Sequence, residues 1–256
     1  MNRSVALVGC GVRAGRCTLV GVFALLLSAG SASAVEVITL RSGQVGGLPG
    51  VAGQADDTVR FLNGANPPGG PVSLSPFTAA DFAGAAGGPA ATVVNAHPAW
   101  TPGISDPLAR WINWKADLTV APDGSVSGTG YGSPGSALYA VPFVVTTPGG
   151  ALTATLALEL AVDDAHGDWF VAGPNPDGLY VNGVSTGFQG GNYASPTLHF
   201  QNITVNTGLN YLYFYQRDLG VLVSGLIFSA TITVPTPGAA ALLGLGGLVA
   251  VRRRRR

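Results

Sequence analysis

The sequence predicts an all-β protein built around a single β-sandwich, and three observations predict it. Apolar and polar residues alternate in several short runs. Turn-forming residues separate those runs. The 38 glycines and 18 prolines among 256 residues leave few windows for a helix. Roughly 200 residues between Val35 and Val234 suffice for one such domain with its own core.

The longest alternation is at 112–120. Ile112, Trp114, Ala116, Leu118 and Val120 share one face, Asn113, Lys115, Asp117 and Thr119 the other, and Pro122-Asp123-Gly124 turns the chain. Tyr139, Val141, Phe143 and Val145 repeat the period up to Pro148-Gly149-Gly150, then Leu156, Leu158, Leu160 and Val162 follow. A hairpin is expected where Trp169-Phe170-Val171 and Leu179-Tyr180-Val181 flank Pro174-Asn175-Pro176-Asp177-Gly178. The strand 209–216 is expected to send Leu212 and Phe214 inward and Tyr211, Tyr213 and Tyr215 outward, and Leu226, Phe228, Ala230, Ile232 and Val234 form the last strand. Residues 43–107 are irregular and too poor in apolar positions for a separate core. They read as long loops of the same sandwich, with an edge strand just before them at 35–40 and a short helix at 78–82, capped by Thr78 with Asp81 in its first turn.

The two ends read as targeting segments. Arg3, Arg13 and Arg16 precede or flank an apolar run from Leu19 to Leu27, and Ala32-Ser33-Ala34 offers a small-x-small site to signal peptidase. Residues 1–34 are therefore expected to be a signal helix, with the mature chain starting at Val35. The lipoprotein alternative at Cys10 fails because the apolar run before it, Val5 to Val8, is too short. Cutting at Val35 would remove Cys10 and Cys17, the two cysteines, so the exported protein must rest on its core rather than on disulfides. At the other end, 234–256, Val234-Pro235-Thr236-Pro237-Gly238 precede thirteen small or apolar residues, Ala239 to Val251, and then Arg252, Arg253, Arg254, Arg255 and Arg256. Such a run stopped by arginines is expected as a short transmembrane helix with its basic end in the cytoplasm. Thirteen residues span about 20 Å against a hydrocarbon core of about 30 Å, a marginal anchor suited to removal.

With the ends set aside, residues 35–233 hold five basic residues, Arg41, Arg60, Arg110, Lys115 and Arg217, against thirteen acidic ones, a net charge of −8. That balance argues against nucleic acid or anionic lipid as partners and favours cations or neutral glycans.

Two groups of side chains are candidates for binding. Tyr211, Tyr213 and Tyr215 at i, i+2 and i+4, extended by Trp169, would form an aromatic stripe on which sugar C–H faces could stack; the same tyrosines could instead pack beneath loops. Asp163, Asp164, Asp168 and Asp177 are candidate Ca²⁺ ligands in one loop region, although ending strands and capping turns would account for them without a metal. Trp100, Trp111 and Trp114 read as core residues. His97, His166 and His199 have no partner at metal-ligand spacing, and only His166 lies beside the aspartates. No nucleophile elbow, metalloprotease helix, P-loop or dinucleotide fingerprint is present, and the two glutamates, Glu36 and Glu159, do not single out a catalytic carboxylate pair.

The tail of Val234-Pro235-Thr236-Pro237, apolar run and arginine cluster resembles the PEP-CTERM sorting signal, with Thr236 where that family carries glutamate. The resemblance implies handling by an exosortase-like membrane transpeptidase and delivery to the cell surface or extracellular matrix, often beside exopolysaccharide. Over 139–232, the order of Leu158-Glu159-Leu160-Ala161-Val162-Asp163-Asp164, Leu179-Tyr180-Val181-Asn182-Gly183, Leu209-Asn210-Tyr211-Leu212 and Gly225-Leu226-Ile227-Phe228 resembles galactose-binding-like jelly rolls. That implies a jelly-roll sandwich of a kind found in carbohydrate-binding modules and in purely structural domains. The expectation is an exported, non-catalytic surface or matrix protein that binds exopolysaccharide. A structural surface protein without ligand and a glycan hydrolase with an unrecognised carboxylate site are the alternatives.

Overall fold

The computed structural model describes residues 35–64, 69–121, 123, 125–220 and 222–236. The expected signal helix, the apolar run Ala239 to Val251 and the arginine cluster lie outside them. Among the described residues no helix is long and apolar enough to cross a membrane.

Among the described residues the regular structure is β-strand apart from one short helix. In order the chain forms β1 (Val35–Arg41), β2 (Gln44–Val45), β3 (Leu48–Pro49), β4 (Ala55–Asn63), helix α1 (Ala79–Ala86), β5 (Ala90–Val93), β6 (Ile112–Asn113), β7 (Leu118–Val120), β8 (Val126–Gly128) and β9 (Ala137–Val145). Then come β10 (Ala151–Asp163), β11 (Ala165–His166), β12 (Leu179–Val181), β13 (Val184–Ser185), β14 (Thr197–Asn206), β15 (Gly208–Arg217) and β16 (Gly225–Pro235). Twelve strands join one antiparallel sheet in the order β13-β12-β15-β9-β4-β5-β6-β16-β10-β14, with β1 beside β16 and β11 beside β15. The short strands β5 and β6 form the bend, and the long strands on either side close over a common core as a sandwich. Phe214 of β15 stacks on Phe228 of β16, their ring centroids 4.3 Å apart. Tyr139, Leu156, Leu160 and Leu212 fill the space around them.

Alternation made these strands where expected: β9, β10, β15 and β16 each bury every second residue on the shared core. The expected strand 112–120 breaks instead into β6 and β7. The Asn113 side-chain oxygen accepts the Lys115 N–H at 2.8 Å while its amide reaches the Ser224 carbonyl, so a local side-chain bond replaces the ladder. The expected strand Trp169-Phe170-Val171 is likewise absent. The hairpin is β12 and β13, joined by Asn182 at φ 51° and Gly183 at φ 80°, the left-handed pair that a two-residue hairpin turn requires.

The irregular region 43–107 holds more structure than its pattern announced. β4 enters the sheet between β9 and β5, and buried Asp56 organises its irregular start, accepting the N–H groups of Thr58 and Val59 on one oxygen and those of Gly43 and Gln44 on the other. The helix forms with the expected cap: Thr78 accepts the Asp81 N–H and the Asp81 carboxylate accepts the Thr78 N–H, a reciprocal capping box.

β16 runs past the expected end of the domain. Val234 is fully buried and pairs with Glu36, and Pro235 pairs with Val35. The first two residues of the motif Val234-Pro235-Thr236-Pro237-Gly238 are thus the last two of the sheet, and Pro237 and Gly238 lie outside the described residues. The start of β1 and the end of β16 sit side by side at one end of the sandwich. The far end of β16, where Gly225 pairs with Asp163, is about 34 Å away.

Candidate functional site

At that far end a cavity of about 460 Å³ opens where β10 stops. It is lined by Asp164, Ala165, Trp169, Phe170, Gly191, Asn192, Leu219 and Gly220. Three loops meet here, following β11, preceding β14 and following β15.

The carboxylates at its base follow from the end of β10. The peptide between Asp163 and Asp164 is cis. Asp163 is buried and accepts the indole N–H of Trp100 at 2.8 Å. Burial, then its hydrogen bond to Asp164 and that residue's charge, push the Asp163 carboxyl up to about 8, so it holds its proton at neutral pH. Asp164 accepts the N–H groups of Leu219 at 2.7 Å and Gly220 at 2.6 Å. One carboxyl is thereby kept as a hydrogen-bond donor and its neighbour is fixed by backbone donors at the cavity wall.

The rim is aromatic. Trp169 is 44% exposed and Phe170 67% exposed, their rings edge to face at 5.5 Å and 79°. The loop carrying them is anchored from below by Asp168, which is buried. Its carboxylate accepts the Asn175 N–H at 3.1 Å and the Tyr215 hydroxyl at 2.9 Å, and lies 3.1 Å from the Arg217 guanidinium. Asn175 extends the anchor, accepting the Phe77 N–H and donating to the Ser75 carbonyl. On the opposite wall Gly191 has φ +96°, and a Cβ there would stand 2.4 Å from Val162.

The four aspartates expected around calcium are therefore divided among separate tasks. Asp163 and Asp164 end β10, Asp168 is a buried loop anchor, and Asp177 binds Ser185 and Gln189 in the β12–β13 hairpin. Among the described residues no three His, Cys, Asp or Glu side chains converge to hold a metal. The four side chains meet their protein partners at separate places, as in the alternative reading in which they end a strand and cap turns.

In the tyrosine stripe the alternative packing beneath other segments holds for two of the three rings. Tyr213 and Tyr215 are buried, because β15 is flanked by β9 and β12 and its second face is covered by α1 and the segment before it. Phe77 meets Tyr215 edge-on at 4.9 Å, and Phe82 packs on Tyr213 at 4.8 Å. Burial, then Tyr211, push the Tyr213 phenol up to about 12. Tyr211 alone remains half-exposed, stacked on Tyr213 at 5.7 Å. Trp169, expected to extend this stripe, belongs to the cavity instead. His166 is buried between Phe188 and Phe214.

Sequence reasoning placed Phe170 in a strand and passed over Asn192, Leu219 and Gly220. Two adjacent large aromatics in a Gly-, Pro- and Asp-rich loop were the available signal for the rim. The wall residues had none, since they are brought in by strand pairing.

No family model matches the chain, and no curated relative does. Among solved structures the chain is similar to a family 35 carbohydrate-binding module from Clostridium thermocellum. The identity is 11%, over 55% of this chain and 90% of the module, at a TM-score of 0.30. Another structure of a family 35 module from the same organism gives 19% identity, 54% and 95% coverage, and a TM-score of 0.25. The cycloalternan-forming enzyme of Listeria monocytogenes, in complex with a pentasaccharide substrate, is 14% identical over 79% of this chain and 18% of the enzyme, at 0.24. At these scores the cavity has to be read from its own residues.

Proposed function

We propose that this chain is an exported, non-catalytic envelope protein whose sandwich binds a neutral polysaccharide, such as exopolysaccharide of the matrix around the cell, in the cavity between Trp169, Phe170 and Asp164. The observation that carries the reading is the exposed aromatic pair standing beside a positioned carboxylate. Sugar rings present C–H faces that stack on aromatics and hydroxyls that bond to carboxylate and amide groups, which Asp164 and Asn192 supply. The net charge of −8 disfavours anionic polymers.

The targeting part of the reading rests on the two ends of the sequence. Signal peptidase removes residues 1–34, the apolar run with its arginines inserts transiently in the membrane, and an exosortase-like transpeptidase acts at the motif around Thr236. Because Val35 and Pro235 share one end of the sandwich, both membrane-directed segments leave from that end, and the cavity opens at the other, where a polymer outside the cell can reach it.

Calorimetric titration of the protein with exopolysaccharide from its own source, with and without Ca²⁺, tests the binding. Saturable binding that does not depend on Ca²⁺ and is weakened in Trp169→Ala is the expected result. Absence of binding leaves a structural surface protein without ligand, and release of reducing ends during the titration assigns a hydrolase.

A further inference from the structure

We infer that the cavity between α1 and the β12–β13 turn is a second sugar site, which takes one pyranose unit of the same neutral polysaccharide, so that each chain grips the polymer at two points. The inference rests on the polysaccharide reading above. The cavity measures about 690 Å³, a size typical of small-ligand sites. It is lined from α1 and the segment before it by Phe77, Phe82 and Ala83, and from the turn and β15 by Asn182, Tyr211 and Tyr213. Its shape is fixed by the protein alone. Asn182 clamps Tyr211 twice, donating its backbone N–H to the Tyr211 carbonyl and accepting the Tyr211 N–H on its side-chain oxygen, both at 2.9 Å. The Asn182 amide in turn donates to buried Asn210 at 2.8 Å. Phe82 is wedged among Phe77, Tyr180 and Tyr213, with ring centroids 5.8, 5.3 and 4.8 Å away. A site held in this way loses little freedom when it is filled.

The occupant is argued from the chemistry of the lining. None of the lining residues is charged, although the domain around them has a net charge of −8, so an ionic ligand would lose hydration here and gain no counter-charge. An alkyl chain fails for a different reason. Neither the Tyr211 nor the Tyr213 hydroxyl is bonded to another of the described residues, and an apolar ligand that covered them would leave both unpaired. A sugar ring meets both demands. Its C–H face lies on half-exposed Tyr211, whose ring is within 25° of parallel to Tyr213, and its hydroxyls bond to the two phenols. Tyr211 stands about 20 Å along β15 from Arg217, which pairs with Asp168 under the first cavity. Phe77 links the two sites, since its N–H is held by Asn175 of the loop that carries Trp169. Two sites so spaced on one domain let a single polymer engage both, the second contact being intramolecular.

Calorimetric titration of the full-length protein in nonionic detergent tests the inference, with two probes: the intact exopolysaccharide from its own source, and a disaccharide cut from it, too short to reach from one cavity to the other. Two disaccharides per chain are expected for the unaltered protein and one for Ala83→Trp, which fills the cavity from an exposed position of α1. Affinity for the intact polymer is expected to fall at least about tenfold in that variant, with the melting temperature unchanged. Tyr211→Ala is expected to act in the same way, and takes its place if Ala83→Trp unfolds the chain. One disaccharide per chain, weakened by Trp169→Ala and untouched by Ala83→Trp, overturns this inference and keeps the proposed function. Two disaccharides that persist in the folded variants overturn it as well. Binding that only the Ala83 and Tyr211 variants weaken keeps this site and overturns the first one, and no binding of either probe overturns both.

Discussion

His166 shows how much one buried residue sets the response to acid. Both ring nitrogens are buried without a hydrogen-bond partner, and burial, then His199, lower its pKa to about 3. The imidazole is neutral in the folded protein but takes a proton in the unfolded chain below about 6.5. Stability therefore falls by about 1.4 kcal/mol per pH unit as pH drops from 6.5 toward 3. His166→Leu is expected to flatten that limb, read by urea denaturation at pH 7 and pH 4.5. Asp163 acts with the opposite sign. Its carboxyl keeps a proton up to about 8 that the unfolded chain gives up near 3.8, so its share of stability is lost as pH rises through that window. Asp163→Asn keeps an acceptor for Trp100 and a donor for Asp164, and is expected to stabilise the protein more at pH 8 than at pH 5, in the same denaturation assay. Trp169 stands exposed at the rim of the proposed binding cavity rather than in the core. Trp169→Ala is expected to weaken glycan binding by about 1–2 kcal/mol, roughly five- to thirtyfold, with the melting temperature unchanged. Asp163, Asp164 and Trp169 were legible as candidate residues because they stand out chemically. Their roles were not legible, because a carboxylate's role is set by what donates to it, and Trp100 reaches Asp163 from 63 positions away.

Among the elements, the loop between β11 and β12 carries the proposed site, and Asp168 holds it. Its pairing with Arg217 is buried on both sides. Asp168→Ala leaves that guanidinium without its carboxylate and is expected to cost roughly 3–5 kcal/mol, checked by urea denaturation, and to weaken binding as Trp169 loses its position. Strands whose two faces differ were readable, as β10 and β16 show. β15 was readable as a strand, but the sequence left its tyrosine face open between exposure and packing, because α1, which covers it, lies more than 120 positions earlier. β14 alternates along its inner half yet presents Leu198 and Phe200 outward, which blurs the amphipathic signal. The 169–171 run failed as a strand because the Asp168 carboxylate draws Asn175 back and closes the loop.

For the whole molecule, the first and last strands of the sheet, β1 and β16, pair with each other. Glu36 fastens β1 across the sandwich to the end of β9, accepting the backbone N–H and hydroxyl groups of Thr146 and Thr147. Those four donors outweigh the effect of burial and lower the carboxyl to about 2, so the clasp persists at neutral and moderately acid pH. Since Val234 and Pro235 belong to β16, processing at the sorting motif is expected to leave the sheet intact. Intact-mass analysis of the surface protein should find it without Arg252 to Arg256, and retention of Arg256 would count against exosortase-like handling. Both cysteines lie in residues 1–34, so under the proposed signal cleavage the melting temperature of the mature protein is expected to be indifferent to dithiothreitol. The sequence by itself determined the β class, the principal strands and the acidic character of the domain, because a period-two pattern is local and net charge is a sum over residues. Only the tertiary structure decided which aromatics face water and which aspartates share a cavity. Exposure depends on what folds over a residue, and here the covering segments come from distant parts of the chain.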